Sequence, residues 1–165
     1  MKFLRFSNPI SHPVNRLYLE KLGVSTKRDD DNTIGCFGSG SKFAPIAALR
    51  SGLQWAHSGW DENGEYLCHY RVNEVDGINV VVFDYGDYVK ESSYTLEAGI
   101  LSWTDPFQIF REAYANAVDE SIQSGTEYYI DIVDEIEKLD GHFCTFLQLN
   151  NDLEYIYKHM SYYFK

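Results

Sequence analysis

The stretch Gly35-Cys36-Phe37-Gly38-Ser39-Gly40-Ser41-Lys42 sets the strongest local constraint on this chain, because it runs without a break into an apolar segment. Three glycines in six residues let the backbone take positive φ and approach a ligand closely. The residues that follow, Phe43 to Leu53, read as a helix with Pro45 in its first turn and Gly52 near its end. Ile46, Ala47, Leu49 and Leu53 are its expected core residues. A glycine-dense loop at a helix N-terminus turns free N–H groups and the positive dipole end toward whatever sits in the loop, which suits a phosphate or another anion. The same composition also makes an ordinary turn. Lys27, Arg28 and Lys42 have the sign to face an anion, or to stand as solvated charges.

Two other glycine motifs do not fit. A Walker A loop closes on G-K-[ST], whereas Gly40 is followed by Ser41-Lys42-Phe43. A dinucleotide fingerprint is G-x-G-x-x-G after a strand; here the order is G-x-x-G-x-G after a polar loop at residues 25–33.

The best-defined helix lies far along the chain. Thr104 or Asp105 caps it, Pro106 takes its first position, Gln108 can complete a capping box with Asp105, and Gly125 stops it after Ser124. Glu112, Asn116 and Asp119 are spaced i, i+4 and i+7 on one face of this helix, among the apolar Phe107, Phe110, Ala113, Ala117 and Val118. A carboxylate, an amide oxygen and a second carboxylate in a row suit a hard cation such as Mg²⁺, which takes oxygen ligands and keeps several waters. The carboxylate not on the metal can orient and deprotonate a water. A solvated polar stripe on a surface helix has the same spacing.

Around these two stretches the chain reads as one domain over residues 1–165. A helix is expected over residues 11–22, with Ser11 as its cap, Pro13 in its first turn and Gly23 as its stop. Residues 55–64 read as a loop. Strands over 65–73 and 77–84 form a hairpin at Asp76-Gly77, residues 85–102 are irregular or strand-like, and strands over 127–136 and 142–149 form a second hairpin at Asp140-Gly141. A final helix over 152–164 puts Leu153, Ile156, Tyr157, Met160 and Phe164 on one core-facing stripe. The fold class is α+β: a two-layer sandwich of a mostly antiparallel sheet, four or more strands wide, with helices on one face.

Composition narrows the function classes. No apolar run reaches the roughly 20 residues of a membrane span, and residues 1–10 carry no cleavable signal pattern, so a cytoplasmic protein is expected. Cys36, Cys68 and Cys144 are an odd number at wide spacing, which argues against a disulfide framework or a zinc site. The five histidines show neither ligand spacing nor a nucleophile partner. The net charge of −11 is uneven: residues 1–60 hold eight Lys/Arg against four Asp/Glu, and residues 61–165 hold six against 21. So acidic a surface disfavours direct nucleic-acid binding. It also suits a mimic of nucleic acid that engages a basic protein.

Arg111-Glu112-Ala113-Tyr114-Ala115-Asn116-Ala117-Val118-Asp119 resembles the N-box of the GHKL (Bergerat-fold) ATP-binding family of chaperones, mismatch-repair proteins, type II topoisomerases and histidine kinases. Ile34-Gly35-Cys36-Phe37-Gly38-Ser39-Gly40 resembles that family's glycine-rich nucleotide box. The boxes stand in permuted order, glycine box first, and with Leu22-Gly23-Val24-Ser25-Thr26-Lys27-Arg28 ahead of them the chain is similar to phage rIIA-like ATP-binding proteins, which are longer. The resemblance implies a permuted GHKL-like fold binding ATP and Mg²⁺, in a host cytosol if the chain is phage-encoded. It implies Asn116 as the metal ligand and Glu112 as the general base. Gly35, Phe37, Gly38, Ser39, Gly40, Ser41 and Lys42 would surround the nucleotide, with Asp119 beside them. The family's D-x-G-x-G box has no counterpart after the last strand, where the sequence is Leu149-Asn150-Asn151-Asp152-Leu153. Asp152, or Asp84 in Asp84-Tyr85-Gly86, is the carboxylate left to read adenine.

Two functions follow as expectations. The first is an Mg–ATP-binding module, a slow ATPase or a nucleotide-dependent conformational switch, with a homodimer or a second domain completing its lid. The second is a non-catalytic acidic protein on a degenerate fold of this kind, inhibiting a host or phage partner through residues 61–165.

Overall fold

The computed structural model describes residues 1–20, 40–97 and 105–164, with backbone alone at 40–42. In chain order the elements are β1 (Phe3–Pro9), α1 (Leu17–Glu20), α2 (Gly40–Arg50), β2 (Trp55–Asp61), β3 (Gly64–Val75), β4 (Ile78–Asp84), β5 (Val89–Thr95), α3 (Pro106–Ser124), β6 (Tyr129–Val133), β7 (His142–Gln148), α4 (Asn151–Lys158) and α5 (Met160–Tyr163). The described strands make one seven-stranded sheet in the order β5-β4-β3-β2-β7-β1-β6, antiparallel at every pairing. Leu4, Phe6, Trp55, Tyr70, Phe83 and Leu147 on one sheet face share a core with Ala47 of α2, Phe110 and Ala113 of α3, and Leu153 and Ile156 of α4. The α+β two-layer expectation is met, with a wider sheet than the minimum.

Local chemistry explains several elements directly. The β3–β4 turn has φ of 51° at Asp76 and 79° at Gly77, the doubly left-handed geometry that Asp-Gly tolerates at a two-residue hairpin. Asp105 caps α3 by accepting the Phe107 N–H at 3.0 Å, and Gly125 ends that helix at φ 66°. At the end of α2, Leu53 N–H donates to the Ala48 carbonyl at 2.9 Å and Gly52 N–H to Leu49 at 3.0 Å, the paired bonds of a Schellman motif.

Other expectations need correction. Phe3–Pro9 forms β1, a strand one place in from the sheet edge that the sequence pattern did not single out, and it sits between β6 and β7. The expected hairpin over 127–149 therefore does not form. Both strands are antiparallel to β1, hence parallel to each other, and the residues between them pass behind the sheet. There Ile136 and Leu139 pack on Ala56, Cys144 and Phe146, which makes this connection a second, smaller core.

Residues 55–61 are strand rather than loop, because β2 lies inside the sheet and is buried on both faces, so its side chains do not alternate in polarity. Its tryptophan and histidine are satisfied internally. Trp55 Nε1–H donates to His57 Nε2 at 3.0 Å, which leaves the Nδ1–H of a neutral imidazole facing Thr145 Oγ1 at 3.0 Å. Gly59 is required here, since a Cβ would stand 2.7 Å from the Tyr66 hydroxyl oxygen.

The helix expected over 11–22 shrinks to Leu17–Glu20 in the described chain, because the preceding residues bond to β2: Val14 N–H reaches the Trp60 carbonyl at 2.9 Å and Arg16 N–H reaches Asp61 Oδ2 at 3.1 Å. Helix α2 starts at Gly40 rather than Phe43, so Pro45 lies inside it rather than in its first turn. Val89–Thr95 is a strand within the stretch read as irregular or strand-like. The final helix is broken at His159, where φ is −121°, into α4 and α5. Gly23 and Thr104 lie outside the described residues. No described helix is long and apolar enough to cross a membrane.

Candidate functional site

Helix α3 is the rigid platform for the polar stripe. Phe6 of β1 meets Phe110 edge-on at 5.4 Å between ring centroids, and Asn8 Nδ2 donates to the Ala117 carbonyl at 2.8 Å from a buried position. Phe107, Phe110 and Tyr114 form one flank of α3 and pack on Phe164, with centroids 5.7, 5.7 and 4.6 Å away. Helix α4 lies on that side, where the Tyr157 hydroxyl donates to Ile130 of β6 at 3.2 Å. Helix α2 packs against α3 and over β2 and β3, on the other side. At helical spacing, Glu112, Asn116 and Asp119 therefore occupy the flank of α3 that faces α2.

This stripe is not a solvated one. The Glu112 side chain is 20% exposed, Asn116 is half-buried and Asp119 is fully buried. Burial raises the Glu112 carboxyl above its ordinary value, opposed by the positive charge of Arg111, whose Nη1 lies 3.4 Å from Glu112 Oε1. A half-buried carboxylate made more basic by desolvation is equipped to accept a proton. Asn116 offers one amide oxygen between two carboxylates. Among the described residues no group of three or more His, Cys, Asp and Glu side chains gathers for a metal. The amide oxygen and the carboxylates on α3 are hard oxygen donors, the kind that Mg²⁺ takes.

The remaining candidates are more scattered. Gly40, Ser41 and Lys42 are the first three residues of α2, while Gly35, Phe37, Gly38 and Ser39 lie outside the described residues. Asp152 is exposed in the first turn of α4, on the flank of α3 opposite the stripe, so the structure does not bring it to Glu112 and Asn116. Asp84, at the end of β4, accepts from Arg71 Nε at 2.8 Å and from Gly86 N–H at 2.9 Å. The Arg71 pairing and the Gly86 N–H hold its carboxyl below the usual range. It alternates with the core-facing Phe83 and so lies on the sheet face away from α3. Cys68 and Cys144 are free and buried, and burial pushes their thiols up to about 12 and about 11, which removes both as nucleophiles at neutral pH.

Sequence spacing missed a second polar centre. Arg16 grips Asp61 with Nε at 2.8 Å and Nη2 at 3.0 Å, although 45 residues separate them. The guanidinium also stands over the rings of Tyr66 and Tyr85, 4.9 and 5.6 Å from their centroids. A cavity of 270 Å³ adjoins it, where Lys138 is offset by Glu65 and Asp87. No periodicity or motif links these positions.

Compared with known proteins, the chain matches no family model, no curated protein and no solved structure.

Proposed function

We propose that this chain binds Mg–ATP at the α2–α3 flank and uses Glu112 as a general base. The observation that carries this reading is the burial of the stripe: Glu112, Asn116 and Asp119 are withdrawn from water on a helix locked to β1. Desolvation of this kind has to be offset, and a bound cation is one way to offset it. Helix α2 begins at Gly40, so the N-terminus of the helix packed on α3 follows directly on the glycine stretch.

In this reading Asn116 Oδ1 would hold the cation, with Asp119 supporting the site from its buried place on the same flank. Bound Mg²⁺ supplies neutralisation of the phosphate charge. Glu112 would accept the proton of a water at its carboxylate, the more readily for its raised pKa. Gly35, Gly38 and Gly40 are the residues that would take the phosphates, with Lys42 as an added cation. Adenine would be read without the usual Asp-glycine box, by groups other than Asp84.

Calorimetric titration with a non-hydrolysable ATP analogue, with and without Mg²⁺, tests the proposal on wild type and on Asn116→Ala. Mg²⁺-dependent binding that Asn116→Ala abolishes is the expected result. A folded protein that takes up no millimolar nucleotide overturns it. That outcome favours the acidic-interaction reading, which is supported by the imbalance of residues 61–165 and by an Asp134 side chain 79% exposed.

A further inference from the structure

Strand β3 runs past the end of β4. Its residues Gly64 to Cys68 pair with β2 from Asp61 to His57, but β4 meets β3 only from His69 onward, opposite Asp84. Among the described residues, positions 64–68 therefore have no strand along their other edge. The chain beyond Asp84 does not supply one, because it folds back on itself. Asp84 accepts the Gly86 N–H at 2.9 Å, and the Tyr85 N–H donates to the Tyr88 carbonyl at 2.9 Å. A strand edge left open carries unpaired N–H and C=O groups and is a template for another chain.

The 270 Å³ cavity lies against this stretch, with Glu65, Tyr66 and Leu67 of β3 in its wall. Its size decides what kind of guest it takes. Pockets for whole small ligands run from about 300 to 1,000 Å³, so this one suits a single side chain. The aromatic wall is fixed, since the Tyr66 hydroxyl donates to the Val14 carbonyl at 2.7 Å and the Tyr85 hydroxyl to Glu20. Arg16 is fixed as well: Asp61 cancels its charge, and the Tyr88 hydroxyl and the Gly64 carbonyl also accept from it. The charges left on the cavity are Glu65 and Asp87 against Lys138, all three exposed and outside any ion pair among the described residues. That balance is negative, which fits a cationic guest and disfavours an anionic one.

We propose that this notch docks an extended basic peptide segment of a partner protein. The backbone of the segment adds to the open edge of β3 at 64–68, and one arginine or lysine side chain enters the cavity toward Glu65 and Asp87. Main-chain hydrogen bonds provide the affinity in this mode, and the pocket beside the edge provides the choice of side chain. The site is built from this end of the sheet alone and is independent of the nucleotide reading.

The probe is an acetylated and amidated Val-Arg-Val-Arg-Val peptide, titrated into isotope-labelled protein while the backbone amide signals are followed by NMR. Shifts centred on the amides of 64–68 and of the 85–88 turn are expected, and none with the Val-Glu-Val-Glu-Val counterpart. The double variant Glu65→Gln with Asp87→Asn should weaken the arginine peptide about tenfold, as two partly screened ion pairs are lost, and Lys138→Ala should tighten it. All three side chains are exposed, so these variants leave the core untouched. N-methylation of alternate peptide nitrogens separates strand addition from charge alone. Loss of binding on methylation supports strand addition, and unchanged affinity overturns it. The proposal is also overturned by equal binding of the acidic and basic peptides, by unmoved signals at 64–68 with the arginine peptide at millimolar concentration, or by free arginine binding as tightly as the peptide.

Discussion

Asp61 and Glu112 are both carboxylates withdrawn from water, and the fold treats them in opposite ways. Asp61 receives a two-pronged Arg16 guanidinium, the Arg16 backbone N–H and the Asn63 N–H at 2.9 Å, so its carboxyl is held below the ordinary range, chiefly by the Arg16 hydrogen bonds. Glu112 has the long Arg111 contact at 3.4 Å, and burial drives its carboxyl up. The first arrangement ties the 11–16 segment to β2 and needs no ligand. The second leaves a half-buried carboxyl with one long charged contact, so desolvation decides its pKa.

The largest effect should follow from breaking the satisfied pair. Asp61→Asn leaves Arg16 uncompensated at a side chain 14% exposed, and is expected to lower the unfolding free energy by about 3 kcal/mol in denaturant titrations. Arg16→Met combined with Asp61→Leu should cost less than Asp61→Asn alone, because no charge is stranded. A double variant as damaged as the single one would mean that the guanidinium matters through its Tyr66 and Tyr85 contacts instead.

Acid should then separate the two carboxylates. The lowered Asp61 stabilises the fold above the unfolded carboxylate value of about 3.9, and that contribution is lost as pH falls through its lower folded value. Denaturant midpoints measured from pH 6 to pH 2 should drop steeply in wild type and more gently in Asp61→Asn. Identical slopes would remove Asp61 from the account of acid stability.

The smallest effect concerns Glu112. Its folded pKa is raised, so ionised Glu112 costs stability, and the cost grows as pH rises above the unfolded value of about 4.3. Glu112→Gln should therefore raise the melting temperature at pH 7 by no more than about 3 °C, with the gain gone below pH ~4. A lowered melting temperature at pH 7 would show that Glu112 belongs with Asp61, as a structural carboxylate.

What was legible in the sequence is what short-range rules control. The limits of α3 follow from Asp105, Pro106 and Gly125, the first hairpin follows from Asp76-Gly77, and the shared flank of Glu112, Asn116 and Asp119 follows from helical spacing. None of these needs a distant partner. The depth of that flank, however, is set by α2 and β1 closing around α3, which no spacing encodes.

The places where the pattern misled are those where distant strands decide. Strand β2 lacks alternation because neighbours cover both its faces, and β1 separates β6 from β7 because Leu4 and Phe6 fill the core beneath α3. The Arg16–Asp61 pair and the Tyr70 and Tyr94 hydroxyls on the Leu19 and Glu20 carbonyls join residues tens of positions apart. By itself the sequence determined caps, turns and helical faces, because those energies act over a few residues. Strand order, burial of the polar stripe and the pairing of buried charges were decided by the tertiary structure, since desolvation depends on what the rest of the chain brings alongside.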